Sequence, residues 1–351
     1  MDEVWAERDT TPARIEAALR DIVSEQHRSE EHPFVPARVL NVVVVVDFEF
    51  RGEIENRLQR VGRYHPSRLV LCAVEEGRRT IDAWAGVGTV DAAPRPGHIA
   101  VARERIEIDI GERHLPKLDT IVDPLLVSDL ATMVWAPHGH TVALDSLRRL
   151  AQIVLVDTQD QPDVAGALCR AADLAEHAYV VDLAWLRSTP WRERVAAAFD
   201  PPALRAALGG VSSVTVRHRD DSLAAAMLFC GWLSSRLGWK PGSLARSGER
   251  FTGHARARRQ EVRLRLEPVH QNPPGLAGVT IETAAGEAVS LDRAPGGLRA
   301  ARRARDGSEQ SWTVLGASRG EAGILGEGVR QALLRDPTYT PALRCAQRFV
   351  T

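Results

Sequence analysis

Cysteine is scarce in this sequence, and its placement excludes the usual cysteine-based sites. The 351 residues contain four cysteines and no CxxC pair, so the spacing gives no support for a zinc site. Each cysteine has apolar neighbours, as in RLVLCAV and AMLFCGW. That setting is typical of small buried thiols in a reducing compartment. We therefore predict reduced, buried thiols at Cys72, Cys169, Cys230 and Cys345.

Signatures of catalysis and of cofactor binding are missing as well. The sequence has no GxxxxGK[ST] loop, and Gly86-Val87-Gly88 lacks the third glycine and the following helix of a dinucleotide fingerprint. No G-x-S-x-G elbow marks a nucleophilic serine. His138-Gly139-His140 could chelate a metal, but no partner stands at a known ligand spacing, which favours a solvated loop. The sequence therefore predicts that the protein is not an enzyme and holds no cofactor and no metal.

Long apolar runs and a strong net charge are also lacking. No apolar run approaches the ~20 residues that span a membrane, and the N-terminal MDEVWAERD does not resemble a secretory signal. With a formal net charge of −1, the chain has no bulk attraction to nucleic acid or to membrane surfaces. We therefore predict a cytoplasmic protein whose partners include neither nucleic acid nor a membrane.

The first half of the sequence contains alternating helix and strand patterns. An amphipathic helix is predicted over residues 11–27, and the β-branched run VLNVVVVV at 39–46 is typical of a strand buried on both faces. A helix is predicted over 117–130. The helix predicted at 141–150 lies between two short strands and completes a βαβ-like unit. This order predicts an α/β layer domain with a mixed sheet.

The second half is predicted to be richer in helices at first and in strands later. A long helix is expected over 221–237, and alternating strands follow over 250–315. The polar, turn-like TQDQPD near residue 158 marks the predicted domain boundary. The predicted fold class is mixed α/β (α+β) with an N-terminal helix and linker at 1–34, an N-terminal mixed-sheet α/β layer domain at 35–158, and a C-terminal domain of helices plus a largely antiparallel sheet at 159–351.

The most distinctive stretch is DLAWLRSTPWRERVAAAFD, residues 182–200. Thr189 is predicted as a helix N-cap, Trp191 and Val195 share an apolar stripe, and Arg192 falls on the opposite face. Bulky aromatic anchors beside guanidinium groups are typical of interface hot spots, although such tryptophans are more often part of a core. As partner-interface residues we predict Trp185, Arg187, Trp191 and Arg192, with a core role as the alternative.

A turn with three polar groups precedes the strand RLVLCAV. His65, Ser67 and Arg68 offer an imidazole, a hydroxyl and a guanidinium, and a guanidinium can bind a carboxylate or phosphate through two parallel hydrogen bonds. These three residues are the predicted anion contact. The alternative is a rigid turn in which Arg68 pairs with an acidic neighbour, and the sequence leaves both open.

Arginine is concentrated between residues 246 and 265, which hold seven arginines and His254. In VRLRL, Arg263 and Arg265 fall on one face of a strand and the apolar residues on the other. A second cluster lies at 299–305, and strand pairing could join the two into a basic face for an anion or an acidic partner. A solvated face with compensating acids is the alternative. Interleaved aromatics, which single-stranded nucleic acid would need, are lacking.

Several ordered stretches together resemble one family. They are ARVLNVVVVVD with HPSRLVL after it, DPLLVSDLATMVWAP, DLAWLRSTPWRERVAAAFDPPALR and SLAAAMLFCGWLSSRLGW. Their order and spacing are similar to those of OpcA, the glucose-6-phosphate dehydrogenase assembly protein family of actinobacteria and cyanobacteria. The resemblance covers roughly residues 35 to 240.

The resemblance implies a non-catalytic partner of glucose-6-phosphate dehydrogenase. Such a protein would bind the dehydrogenase, favour its active oligomer and support NADPH production in the oxidative pentose phosphate pathway. The implied lack of catalysis agrees with the motif search, which found no catalytic set. The alternative function is a phosphosugar-binding sensor or enzyme that uses Arg68 and the basic C-terminal sheet.

Overall fold

The computed structural model describes residues 3–28, 34–35, 38–61, 67–89, 100–159, 161–258, 260–315 and 320–350. Within these residues the chain forms two nine-stranded sheets with helices around them. Through residue 182 the elements are β1 (Glu3–Glu7), α1 (Pro12–Arg28), β2 (Phe34–Val35), β3 (Leu40–Asp47), α2 (Arg51–Val61), β4 (Ser67–Val74), β5 (Asp82–Thr89), β6 (Ala100–Ile110), α3 (Leu118–Val122), β7 (Thr132–Trp135), α4 (Thr141–Leu147), β8 (Ile153–Val156), α5 (Val164–Ala175) and β9 (Tyr179–Asp182).

The remaining elements belong to the second half of the chain. They are α6 (Leu183–Arg187), α7 (Thr189–Ala198), α8 (Pro202–Arg205), β10 (Val211–Arg219), α9 (Leu223–Leu237), β11 (Lys240–Pro241), β12 (Ala245–Ser247), β13 (Arg250–Arg256), β14 (Glu261–Val269), β15 (Leu276–Thr283), β16 (Ala288–Ala294), β17 (Gly297–Arg303), β18 (Glu309–Leu315), α10 (Gly320–Leu334) and α11 (Tyr339–Gln347).

The first sheet is mixed, as the sequence predicts. Its strand order is β1-β5-β6-β4-β3-β7-β8-β9, with β2 beside β6. The pairs from β6 through β8 are parallel, and β5 and β1 join antiparallel at one edge. In β3 every residue from Leu40 to Val46 is buried, because this β-branched run lies at the centre of the sheet with both faces covered.

Helix α1 packs in the first unit through one apolar stripe. Ile15 and Leu19 are buried, and the carbonyl of Thr11 accepts hydrogen bonds from the first turn. Arg20 pairs with Glu16 on the exposed side. The predicted helix over 11–27 is thus confirmed, whereas the helix predicted over 117–130 is wrong. The observed helix α3 ends at Val122, because Pro124 has no N–H to donate and restricts the residue before it.

The second sheet is largely antiparallel, again as predicted. Its order is β11-β13-β14-β10-β15-β16-β17-β18, with β12 beside β13, and β10–β14 is its parallel pair. Helices α9 and α7 pack on one face of it. In β14, Val262, Leu264 and Leu266 are buried on that face, while Arg263 is exposed on the other. The predicted alternation of this strand is therefore confirmed.

By packing, the chain divides into two compact units. The first comprises Met1–Val156, His177–Val181 and Glu321–Leu334; the second comprises Asp157–Glu176, Asp182–Gly320 and Arg335–Thr351. Each unit is built from three separate stretches of chain. A single boundary near residue 158 stays a prediction.

The four cysteines are all unpaired thiols. Cys72 and Cys230 are fully buried, and burial raises the pKa of each to about 12. Cys169 and Cys345 are only partly buried. The thiols at Cys72 and Cys230 are therefore held in their protonated, unreactive form.

Candidate functional site

Residues 182–200, predicted as a partner-binding segment, form β9's last residue and helices α6 and α7 in the second unit. Trp185 and Trp191 are each 2% exposed, and Arg192 is 8% exposed. The expectation that Arg192 lies on a solvent face is wrong: its guanidinium stacks 3.4 Å from the centroid of the Trp185 ring. The helix start is also shifted, since Ser188 rather than Thr189 is the N-cap.

A carboxylate from far along the chain completes this cluster. The indole Nε1 of Trp185 donates to Asp336 Oδ2 at 2.9 Å, and Arg192 Nη1 lies 3.7 Å from the same oxygen. Burial lowers the pKa of Arg192 to about 10, against the opposing charge of Asp336. For Asp336 burial acts upward, but hydrogen bonds from Thr338 and Trp185 outweigh it and lower its pKa. The tryptophan is therefore fixed by polar as well as apolar contacts.

A second buried carboxylate lies where β9 meets α6. Asp182 accepts hydrogen bonds from Thr158 Oγ1 at 2.9 Å, from the Ala184 N–H at 3.0 Å and from Tyr339 Oη at 3.1 Å. Burial, helped by the charge of Asp157, raises the pKa of Asp182 to about 6. The network ties three distant stretches of the second unit together.

Arg187 is committed to an internal partner as well. Its Nη1 and Nη2 donate to the two carboxylate oxygens of Asp157 at 2.8 and 2.7 Å, and the side chains are 7% and 3% exposed. Trp185, Trp191 and Arg192 are thus buried in the second unit, and the side chain of Arg187 is largely covered there. Sequence reasoning missed Asp336 and Tyr339, although Asp336-Pro337-Thr338 is a recognisable turn before a helix.

The predicted anion contact at residues 65–68 is only partly described, because His65 lies outside the described residues. Ser67 begins β4 and is half-buried. Arg68 Nε donates to Glu104 Oε2 at 2.6 Å and its Nη1 donates to the carbonyl of Leu125 at 2.9 Å. Glu104 is 1% exposed and also pairs with Arg38. These contacts match the alternative in which Arg68 pairs with an acidic neighbour, and an anion contact stays a prediction.

The two arginine clusters lie on one sheet but not side by side. Strand β17, with Arg299 and Arg303, is separated from β14 by β10, β15 and β16. In the middle of the sheet arginines are neutralised: Arg217 pairs with Asp292 at 2.7 Å, and Arg303 pairs with Glu282 at 3.4 Å. The two clusters therefore do not pair into one basic face, and these ion pairs match the alternative of a sheet face with compensating acids.

At the β13–β14 end of the same sheet the positive charge is concentrated in a groove of about 920 Å³. It is lined by Lys240, Pro241, Gly242, Ser243, Ala245, Thr252, Gly253, His254, Arg256, Glu261, Arg263 and Arg265. Among the lining residues four cationic side chains, Lys240, Arg256, Arg263 and Arg265, outnumber one carboxylate, Glu261. This groove is the candidate binding site of the second unit.

Two family models match the chain in succession. Both are described as domains of a glucose-6-phosphate dehydrogenase subunit: residues 59–173 match the N-terminal domain, and residues 178–343 match the C-terminal domain. A protein of Synechococcus elongatus named OxPP cycle protein OpcA is 27% identical over 238 residues. The chain belongs to the OpcA family.

The relatives of this OpcA-family chain are longer than it is. The Synechococcus alignment covers 66% of the chain and 52% of the relative, so the chain spans about half the length of that protein. The OpcA of Nostoc punctiforme is 32% identical over 131 residues, which is 36% of this chain and 28% of the relative. A dehydrogenase structure from Chromobacterium violaceum aligns over 90% of the chain and 95% of its own at 12% identity, with a TM-score of 0.47.

A polar cluster lies at the carboxyl ends of β3 and β7 in the first unit of this OpcA-family chain. His140 Nε2 lies 3.0 Å from Asp47 Oδ1, and the ring of His138 lies 4.4 Å from that of Phe50. The His140 side chain is 13% exposed, so the expected solvated loop is wrong for this residue. Burial lowers the pKa of His140. No group of three potential metal ligands is found among the described residues.

Among the helices in the described ranges, none is both long enough and apolar enough to cross a bilayer.

Proposed function

We propose that this OpcA-family chain is a non-catalytic assembly effector of glucose-6-phosphate dehydrogenase. It binds the dehydrogenase, favours the active oligomer and thereby supports NADPH production in the oxidative pentose phosphate pathway. The observation that carries the proposal is the succession of two family models over most of the chain, both of them named for glucose-6-phosphate dehydrogenase. The proposal places the protein in the cytoplasm with its partner.

The mechanism in this proposal is mass action. A protein that binds the assembled enzyme more tightly than the dissociated one shifts the population toward assembly. A protein with equal affinity for both states would shift nothing, however tightly it bound. Activation therefore requires that this chain contact a surface that the assembled dehydrogenase has and the dissociated dehydrogenase lacks.

The interface residues predicted from sequence enter this proposal indirectly. Trp185, Trp191 and Arg192 are buried and the side chain of Arg187 is largely covered, and so they would support binding by holding α6 and α7 in place. Trp191→Ala should lower stability by about 3–5 kcal/mol. Where the variant is still folded, its affinity for the dehydrogenase should be close to that of the parent chain. A folded variant with weakened binding would instead make Trp191 a contact residue.

The alternative function, a phosphosugar sensor or enzyme, would use Arg68 and the basic C-terminal sheet. Arg68 Nε donates to the buried carboxylate of Glu104. The arginine-rich groove of the second unit is the observation that favours this alternative.

The test is to mix the purified chain with its cognate dehydrogenase. Mass photometry should show a larger oligomer, and kcat/KM for glucose 6-phosphate should change in the same titration. The chain alone should show no turnover of glucose 6-phosphate with NADP. An unchanged oligomer together with unchanged kinetics, at micromolar concentrations of both proteins, would refute the proposal.

A further inference from the structure

The groove is built from alternate residues of two paired strands. In the β13–β14 register Thr252 lies opposite Arg265, His254 opposite Arg263, and Arg256 opposite Glu261. Directly opposed residues project to the same face of a sheet, so all six share the open face. The intervening residues of β14 are buried on the helix-covered face. The cationic row is therefore fixed by the same alternation that builds the core.

A wall is added by the chain that leads out of β11. Lys240 pairs opposite Arg256, and the N–H of Gly242 donates to the carbonyl of His254 at 3.0 Å. Gly253, which lies opposite the buried Leu264, lets the same chain pass closely on the other face, since a Cβ there would lie 2.8 Å from the carbonyl oxygen of Ser243. The groove is therefore lined by residues 240–243 as well as by β13 and β14.

Charge in this groove is not balanced. Lys240, Arg256, Arg263 and Arg265 line it, and Glu261 is the acidic lining residue. None of these four cations forms an ion pair with a carboxylate in the described part of the chain. Elsewhere on the same face, Arg217 and Arg303 do have acidic partners. A concave surface whose charges have one sign focuses the electrostatic field and concentrates counter-ions.

We propose that this groove binds a small molecule with two or more phosphate groups. Guanidinium groups pair with phosphate oxygens through parallel, charge-assisted hydrogen bonds. Its volume of about 920 Å³ lies within the range of small-molecule sites. Protein hot spots are enriched in Trp and Tyr as well as Arg, and single-stranded nucleic acid stacks its bases on aromatic side chains. The described lining residues include no Phe, Tyr or Trp.

The test uses the whole chain without the dehydrogenase, so its outcome is independent of the proposed assembly role. Inorganic pyrophosphate, titrated calorimetrically at 150 mM salt, should bind at least about tenfold more tightly than inorganic phosphate. ADP and fructose 1,6-bisphosphate, whose phosphates are adjacent and separated respectively, distinguish a nucleotide source from a sugar source. Binding of either supports the site.

The variant Arg263→Gln/Arg265→Gln should weaken pyrophosphate binding by at least about tenfold. Its matched control is Arg299→Gln/Arg303→Gln, which removes the same two charges from the same face, roughly 19 Å away across four strand spacings. The control should bind as the parent chain does, and unchanged thermal unfolding would show that both variants fold.

Three results would overturn the proposal. They are no pyrophosphate binding at this salt concentration, equal weakening by the two double variants, and tighter binding of a poly-glutamate peptide than of pyrophosphate. The last result would make the groove a site for an acidic protein segment.

Discussion

Two carboxylates, those of Asp336 and Asp182, connect distant parts of the second unit through hydrogen bonds. Asp336 receives the indole N–H of Trp185, and Asp182 receives hydrogen bonds from Thr158, Ala184 and Tyr339. Aromatic and basic residues that look like an exposed hot spot in sequence are thereby buried. Whether Trp185 belongs to an exposed hot spot or to a buried cluster depends on Asp336, which lies 151 residues further along the chain.

Replacing Asp336 with alanine should destabilise the protein by about 2 kcal/mol, because the indole N–H and the Arg192 guanidinium lose a partner away from water. Urea unfolding monitored by tryptophan fluorescence measures the change. Asp306→Ala is the matched control: Asp306 accepts the same pair of hydrogen bonds from Ser308, but on an exposed turn. Equal losses in the two variants would show that the indole and guanidinium contacts contribute nothing.

The buried Asp182 predicts a pH dependence of stability. Its pKa in the folded chain is raised to about 6, from 3.8. Its favourable contribution is therefore complete below about pH 3.8 and is lost as the pH rises through 6, a change of about 3 kcal/mol.

Asp182→Asn removes that titration. Between pH 4 and pH 7 the parent chain should therefore lose about 2 kcal/mol of unfolding free energy relative to the variant. Urea unfolding across this range gives the difference directly. A difference that does not vary with pH would contradict a raised pKa in the folded state.

At the scale of elements, the close contact of α9 and α11 depends on one small residue. A Cβ at Gly231 would lie 2.3 Å from the carbonyl oxygen of Ala342, on the facing helix. Gly231→Ala should therefore cost about 1–3 kcal/mol through overpacking, despite the better helix propensity of alanine. A Cβ added at Gly326, in α10, would instead meet no atom within 4 Å.

Gly326→Ala should instead raise stability, by up to about 1 kcal/mol. Chemical denaturation of the two variants gives opposite signs for one and the same substitution. The same sign in both would mean that helix propensity, and not the approach of α11, governs Gly231.

Elements with a strong apolar pattern could be predicted from sequence, including the short strands β7 and β8, whereas β1 and β9 could not. The Val-rich β3, the amphipathic α1 and the alternating β14 are where their patterns place them. Strand β1 is short, and two of its five residues are glutamates; it forms because β5 supplies the pairing partner. Strand β9 has four residues and follows a helix. Both depend on distant neighbours that local propensity does not encode.

Only part of the groove could be predicted from the sequence, namely the positions that depend on strand alternation. The alternation in VRLRL places Arg263 and Arg265 on one face whatever the topology. The sequence could not indicate that β10, β15 and β16 would separate this face from Arg299, or that acidic residues on those strands would neutralise the middle of the sheet.

At the scale of the whole molecule, near-neutrality conceals an uneven distribution of charge. The net charge is −1, yet four cations converge at one end of the second sheet. A net charge near zero therefore gives no bulk attraction to a polyanion, but it is compatible with a local anion site. Composition bounds long-range attraction, and only the fold defines where charges of one sign collect.

The threading of the chain through its two units also affects how the protein is made. The second unit is completed by Arg335–Thr351, whose helix α11 packs against α9. Ribosomes emit roughly 5–20 residues per second, and N-terminal domains usually fold as they emerge. Here α9 must wait roughly 5–20 seconds for α11, and until then the nascent polypeptide exposes apolar surface that chaperones would recognise.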